Sequence, residues 1–159
     1  IITPFIMSSL KKRYYLNEVL RTHRGNSRGI PVNAKPLFVL ALIDCIEESI
    51  LKNNAITFPN KEIEAVYYNL CQSYEPKRKA SPYILPYFHL VGESYFDIKW
   101  KGEKFIPNAH AHSPSAKFLR DNVEFAYLDQ TLWDLLQDHN VREEFRTQIV
   151  NFFLRPNNN

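Results

Sequence analysis

Residues 33–48, NAKPLFVLALIDCIEE, contain an almost unbroken apolar run behind a lysine–proline pair. Pro36 suits the first turn of a helix, where its missing N–H costs no hydrogen bond, so we predict that a helix begins there. Residues 37–46 are apolar on nearly every side of that helix, which predicts that it lies in the middle of the core. Glu47 and Glu48 mark its return to the surface.

The segments around this run predict further helices. Each begins at a residue whose side chain is able to cap a helix, and each carries apolar residues at helical spacing. We expect the first helix to end near Arg24, where RGNSRG interrupts the pattern. The predicted caps are Ser8 or Ser9, Asn60, Asp129 and Asn140.

Near Gly92, the spacing of apolar residues changes from the helical repeat to an alternation with polar residues. YFHLV and YFDIKW flank this glycine and predict a β-hairpin, with Phe96, Ile98 and Trp100 on one face. VEFAYL, at residues 123–128, adds a third short strand, and residues 102–115 read as a long loop. The sequence therefore predicts an α+β fold with helix in the majority, as a single domain over residues 1–159.

Composition excludes several classes of protein. The chain has 159 residues, 45% of them hydrophobic and 23% charged, which is typical of a globular domain with a real core. No stretch is long and apolar enough to cross a bilayer, so we expect no membrane partner. The two cysteines, Cys45 and Cys71, need not be paired, and such low usage favours a cytoplasmic location.

Charge is distributed unevenly along the chain. Residues 11–35 contain seven lysines and arginines and one acid, Glu18, so this segment carries +6 although the whole chain carries only +3. Further basic clusters lie at residues 77–79 and 99–104. A block this basic indicates an anionic partner, and nucleic acid is the commonest one.

The residues that usually carry chemistry do not form a recognisable set. His110 and His112 lack companion ligands at metal-binding spacing, and no Gly-Lys-Ser/Thr ends the loop between Gly25 and Gly29. Asp44, with the two acids that follow it on the same helix, is more typical of a polar face than of a catalytic pair. We therefore expect no catalytic activity, metal or cofactor in this chain.

Several aromatic residues leave two interpretations open. Tyr83, Tyr87 and His89 lie in SPYILPYFHL, close to the basic residues 77–79. Core packing explains most aromatic residues. Tyrosine and histidine beside a basic surface also suit packing against sugar, phosphate or an unstacked base.

Three blocks together resemble a known family. They are a basic loop leading into KPLFVLALIDCIEE, then LPYFHLVGESYFDIKW, then AYLDQTLWDLLQD followed by REEFRTQIVNFF. In this order they resemble the DNA-binding domain that precedes the nuclease domain in McrA-type HNH restriction endonucleases. Its best-understood relatives are sulfur-binding domains, which recognise phosphorothioate-modified DNA. The resemblance covers residues 14–153.

The resemblance implies two sets of site residues. A basic loop and the start of the Lys-Pro-Leu helix face the DNA backbone in that family, and a proline-containing segment lines a pocket for a modified phosphate. Because Arg24 lies in a polar, glycine-flanked loop, we expect few protein contacts to constrain it. Because Lys35 precedes the apolar run, we expect its charge to remain in water. The implied backbone-facing residues are Arg21, His23, Arg24, Arg28, Lys35 and Pro36, and the implied pocket residues are Pro86, Tyr87 and His89.

Two departures from the family count against sulfur recognition. Ala34 stands where sulfur-binding members usually have a histidine, and Leu85-Pro86 stands where they have Tyr-Pro. The HNH catalytic signature is also missing from these residues, so we expect this chain to be a fragment whose nuclease domain lies elsewhere in the same chain or in a partner. The resemblance predicts a module that binds double-stranded DNA through its phosphates, or through a modified phosphate or base. The alternative is a protein-interaction domain whose basic face meets an acidic partner.

Overall fold

The computed structural model describes residues 2–102 and 112–155. Within these residues the structure has seven α-helices and two short antiparallel strand pairs, which confirms the helix-majority α+β prediction. None of these helices is both long and apolar enough to span a bilayer. The elements in chain order are α1 (Pro4–Leu20), β1 (Asn26–Ser27), β2 (Ile30–Pro31), α2 (Ala34–Glu47), α3 (Lys61–Tyr74), α4 (Ile84–His89), β3 (Phe96–Trp100), α5 (Ala116–Asn122), β4 (Val123–Leu128), α6 (Gln130–Leu135) and α7 (His139–Ile149).

Helix α2 is the centre of the core, as its sequence predicts. Every residue from 37 to 43 is buried, and α3, α4 and α7 all pack against the helix. The ring of Phe38 meets those of Tyr83, Tyr87 and Phe96 at centroid distances of 5.5, 6.2 and 5.9 Å. Edge-on contacts of this kind add to the stabilisation from apolar burial. The core therefore forms around α2 on all its sides.

The predicted hairpin around Gly92 is wrong in its first strand. YFHLV belongs to α4 and to the 3₁₀ turn Leu90–Gly92 that follows it. Tyr83, Tyr87 and Leu90 repeat at helical spacing and are all buried, so helical periodicity prevails over the apparent alternation. The second segment is a strand, β3, with Phe96 and Ile98 buried as predicted. Its partner is β4, the predicted third strand, with Phe96 opposite Leu128 and Ile98 opposite Ala126.

Several predicted helix boundaries shift. The cap of α1 is Thr3, five to six residues before the predicted Ser8 or Ser9, because the Thr3 hydroxyl accepts from the Ile6 N–H. The helix ends at Leu20 rather than near Arg24. Asp138, not Asn140, caps α7. Asn60 and Asp129 cap α3 and α6 as predicted. The interrupting segment after α1 is not featureless, since it folds into the β1–β2 ladder.

Two buried tyrosines on and beside α4 differ in how their hydroxyls are satisfied. The Tyr87 hydroxyl donates to the carbonyl of Ile56 at 2.8 Å. The Tyr83 hydroxyl is buried without a hydrogen-bond partner among the described residues. Burial raises the pKa of Tyr83 well above its usual value, so this hydroxyl stays protonated and keeps its full desolvation cost.

We therefore expect opposite results from the same substitution at these positions. Tyr87→Phe removes a satisfied hydrogen bond and should lower the free energy of unfolding by about 1 kcal/mol. Tyr83→Phe removes an unsatisfied polar atom and should leave stability unchanged or raise it. Urea unfolding of both variants measures the difference; a Tyr83→Phe variant as destabilised as Tyr87→Phe would contradict this account of the hydroxyl.

Candidate functional site

One cavity gathers most of the predicted site residues. It has a volume of about 750 Å³ and opens between the loop after α1, the start of α2, helix α4 and the turn that follows α4. Five of the nine predicted residues line it, although they come from three separated segments of the chain. The lining residues are His23, Arg24, Gly25, Asn26, Val32, Ala34, Lys35, Ser81, Leu85, Pro86, His89, Gly92 and Glu93.

Arg24 is held by a buried amide at the start of α2. Its Nη1 donates to Oδ1 of Asn33 at 2.9 Å, and its guanidinium carbon lies 4.9 Å from the centre of the Phe153 ring. Asn33 is itself buried and donates to a carboxylate oxygen of Glu75 at 3.0 Å. The expectation that Arg24 has few protein contacts is therefore wrong, because a buried polar group requires a partner and Arg24 supplies one.

Glu93 is a functional candidate that the sequence did not reveal. Its side chain is only 5% exposed, and it accepts from Lys35 Nζ at 3.0 Å and from the backbone N–H of His23 at 3.2 Å. The Nδ1 of His23 lies 3.3 Å from each carboxylate oxygen. Lys35 is paired and only 20% exposed, so the expectation that its charge remains in water is also wrong. The partners lie 58 and 70 residues away, too far for sequence spacing to indicate them.

The remaining wall of the cavity is largely apolar. Val32, Ala34, Leu85 and Pro86 all line it, the last two from α4. His89, the last residue of α4, also lines the cavity, with its Nε2 at 2.6 Å from the Ser113 hydroxyl. The cavity therefore combines apolar surfaces with a basic entrance and one buried carboxylate.

Four predicted residues do not line the cavity. Arg21 follows α1 with an 80% exposed side chain, 3.8 Å from the Glu18 carboxylate, and Arg28 is exposed at the β1–β2 turn with φ of 53°. Pro36 and Tyr87 are buried in the core, so their predicted contact with DNA is corrected here. Both belong to apolar faces that pack inward. Tyr83 is buried in the same way, which favours the core interpretation for both tyrosines.

Two basic segments that are distant in sequence meet beside the cavity. Arg78 donates from Nη1 to the carbonyl of Pro31 at 2.6 Å, which fastens the loop of residues 77–79 against β2. Lys77 and Lys79 are exposed on that loop. We define the basic face as Arg21, Arg24, Arg28, Lys77, Arg78 and Lys79. The third basic cluster is different, because Lys99 pairs with Glu124 at 3.5 Å and Lys104 lies outside the described residues.

Outside the cavity, the carboxylate of Glu47 on α2 is paired with side chains of α7. His110 lies outside the described residues, and His112 is exposed. Glu47, His139 and Glu143 place one ligand atom each within 4.8 Å of one another. Glu47 accepts from Arg142 Nε at 3.0 Å and contacts His139 Nδ1 at 2.8 Å. This arrangement is typical of an exposed ion-pair cluster that joins α2 to α7, and these hydrogen bonds lower the pKa of Glu47.

The anchoring of Arg24 leads to a prediction about stability. Arg24→Ala leaves the buried Asn33 oxygen without its donor and removes the contact with Phe153, so unfolding should become easier by about 1–2 kcal/mol. Arg21→Ala removes an exposed side chain and should change stability by about 0.5 kcal/mol or less. Thermal melts of the two variants provide the comparison, and equal melting temperatures would show that the Arg24–Asn33 hydrogen bond contributes nothing.

Comparisons with known proteins leave the site to be interpreted from its own chemistry. No protein-family model matches the chain, and no curated protein matches it significantly. The resemblance to the DNA-binding domain of McrA-type endonucleases therefore stays a prediction.

Proposed function

We propose that the chain is a module that binds double-stranded DNA through its phosphate backbone. The observation that carries the proposal is the meeting of two basic segments, residues 21–35 and 77–79, beside one cavity. Lysines and arginines that neutralise phosphates release condensed counterions, which supplies sequence-independent affinity for DNA. On the resemblance alone, such a module would serve a restriction or defence endonuclease.

The residues of the basic face divide into two roles. Arg21, Arg28, Lys77 and Lys79 have exposed side chains and suit direct contact with phosphate oxygens. Arg24 and Arg78 are tied to the protein by hydrogen bonds to Asn33 and Pro31, and so hold the face in shape. Lys35 pairs with Glu93 inside the cavity, which sets it apart from the backbone contacts. A modified phosphate or base would be recognised at the cavity rather than on the open face.

Binding should therefore depend steeply on salt. The logarithm of the association constant should fall with the logarithm of salt concentration with a slope of about −0.9 for each phosphate neutralised. Fluorescence anisotropy with a labelled duplex over a salt series measures this slope. Affinity that does not change between low and physiological ionic strength would rule out the proposal.

Two double charge reversals test where the DNA lies. Arg21→Glu with Lys77→Glu changes the basic face, and each lost phosphate contact should reduce the salt slope by about 1. Lys52→Glu with Lys61→Glu makes the same change in net charge near the opposite end of α2, and should leave the slope close to that of the parent. Equal loss of affinity in the two variants would mean that net charge, and not the basic face, determines binding.

An acidic protein partner is the second candidate, and the surface of α1 favours it. Phe5, Leu10 and Tyr14 expose 82%, 50% and 56% of their surface beside Lys11 and Lys12. Exposed apolar groups mark protein contacts more often than contacts with DNA phosphates. If Phe5→Ser with Leu10→Ser leaves DNA affinity unchanged, this surface is separate from the basic face that binds DNA. If no duplex binds the parent protein at low salt, the protein-interaction function replaces the DNA-binding function as the proposal.

A further inference from the structure

The cavity carries charges of opposite sign at different depths. At the entrance, the side chain of His23 is 86% exposed and Arg24 belongs to the open basic face. Inside, the side chain of Glu93 is 5% exposed and is paired with Lys35 at 3.0 Å. Phosphodiester oxygens suit such an entrance, but they have no proton to donate to the carboxylate oxygens further in. The inner part of the cavity therefore suits a group that donates hydrogen bonds.

The Glu93 carboxylate has acceptor capacity that the protein does not use. A carboxylate offers about four lone-pair positions on its two oxygens. Oε2 accepts from Lys35 Nζ at 3.0 Å and from the His23 N–H at 3.2 Å. Among the described residues, Oε1 has only the His23 Nδ1 contact at 3.3 Å, which is long for a charge-assisted hydrogen bond. One further donor can therefore be accepted at Oε1.

The walls of the cavity suit the faces of a flat ring. Leu85 and Pro86 lie on α4, Val32 follows β2 and Ala34 begins α2, and all four line the cavity. Its volume of about 750 Å³ falls within the roughly 300–1,000 Å³ of ligand sites and exceeds what a single phosphate requires. A heterocycle with an amino group would meet both the apolar lining and the remaining acceptor capacity of Glu93.

We infer that the cavity receives a nucleobase extruded from the bound DNA and reads its exocyclic amine through Glu93. The inference rests on the proposed DNA binding, because the basic face must hold the backbone on either side of the extruded nucleotide. Cytosine presents its N4 amine as a donor, and carboxylates are its usual acceptors in base recognition. Thymine presents a carbonyl oxygen at the same position, which the carboxylate repels. The site therefore selects cytosine over thymine.

Duplexes that already contain an unpaired base provide the test. Extruding a base from a paired duplex costs unstacking and unpairing energy, and this cost lowers the affinity. Three labelled duplexes are compared by anisotropy at one salt concentration: one fully paired, one with a single unpaired cytosine, and one with a single unpaired thymine. We expect the duplex with unpaired cytosine to bind about tenfold or more tightly than that with thymine. The expected ratio is measured within each protein variant, so that differences in overall affinity cancel.

Two variants locate the effect. Glu93→Gln removes the charge and adds a donor, and should abolish the preference for cytosine. Leu85→Trp fills the cavity from α4 and should bring the ratio to about one. Ile50→Trp adds the same side chain at an exposed position after α2 and should keep the parent ratio. Should Glu93→Gln fail to fold in a thermal melt, Leu85→Trp decides the question alone.

Each outcome supports or overturns the inference. Equal binding of all three duplexes would overturn the extruded-base site and leave the DNA-binding proposal standing. A cytosine preference that survives Leu85→Trp would place base recognition outside the cavity and would also overturn it. Failure of every duplex to bind at low salt would remove the DNA-binding proposal and the inference together. A cytosine preference lost in Leu85→Trp and retained in Ile50→Trp supports the site.

Discussion

The structure depends on one constraint, which is that α2 has no polar side between residues 37 and 43. All of these residues are buried, so other elements must cover the helix in every direction. Helices α3, α4 and α7 do so, and Phe96 of β3 completes the cover through Phe38. A helix enclosed in this way reaches the surface only at its ends. Its amino end emerges between the loop after α1 and helix α4, and that is where the cavity forms.

The polar groups at this end of α2 are satisfied in a way that connects stability to the site. Asn33 and Glu93 are both buried, and each holds a cation, Arg24 and Lys35 respectively. Buried polar groups without partners are costly, so neither acceptor can lose its cation freely. The cations that make the entrance basic are for this reason also part of the fold. A substitution of Arg24 or Lys35 is therefore expected to change stability as well as binding. Substitutions of the exposed Arg21 and Lys77 are expected to change binding alone.

The sequence was sufficient for the elements whose signal is local. The apolar run predicts α2, the Asn60 cap predicts α3, and the alternation of apolar and polar residues predicts β3. The prediction of a strand around Tyr87 failed, because a short apolar segment fits both the helical and the strand period. Only the tertiary packing decides between the two. The site was predicted in part, with five residues on the cavity and with Pro36 and Tyr87 buried instead. Glu93 was missed because its partners are contributed by distant segments, and pairing over such separations leaves no trace in spacing.

The hydrogen bonds from Arg78 to the carbonyls of Pro31 and Ile30 have a consequence for the dynamics of the surface. They join a turn and a loop that would otherwise sample conformations independently. Ordering two loops on binding carries a conformational entropy cost, and here folding has already met that cost. Such preorganisation favours a rigid partner of fixed shape, and the double helix of the proposed DNA partner is stiff. Loss of the Arg78 guanidinium would leave every exposed charge in place while restoring that entropic cost to each binding event.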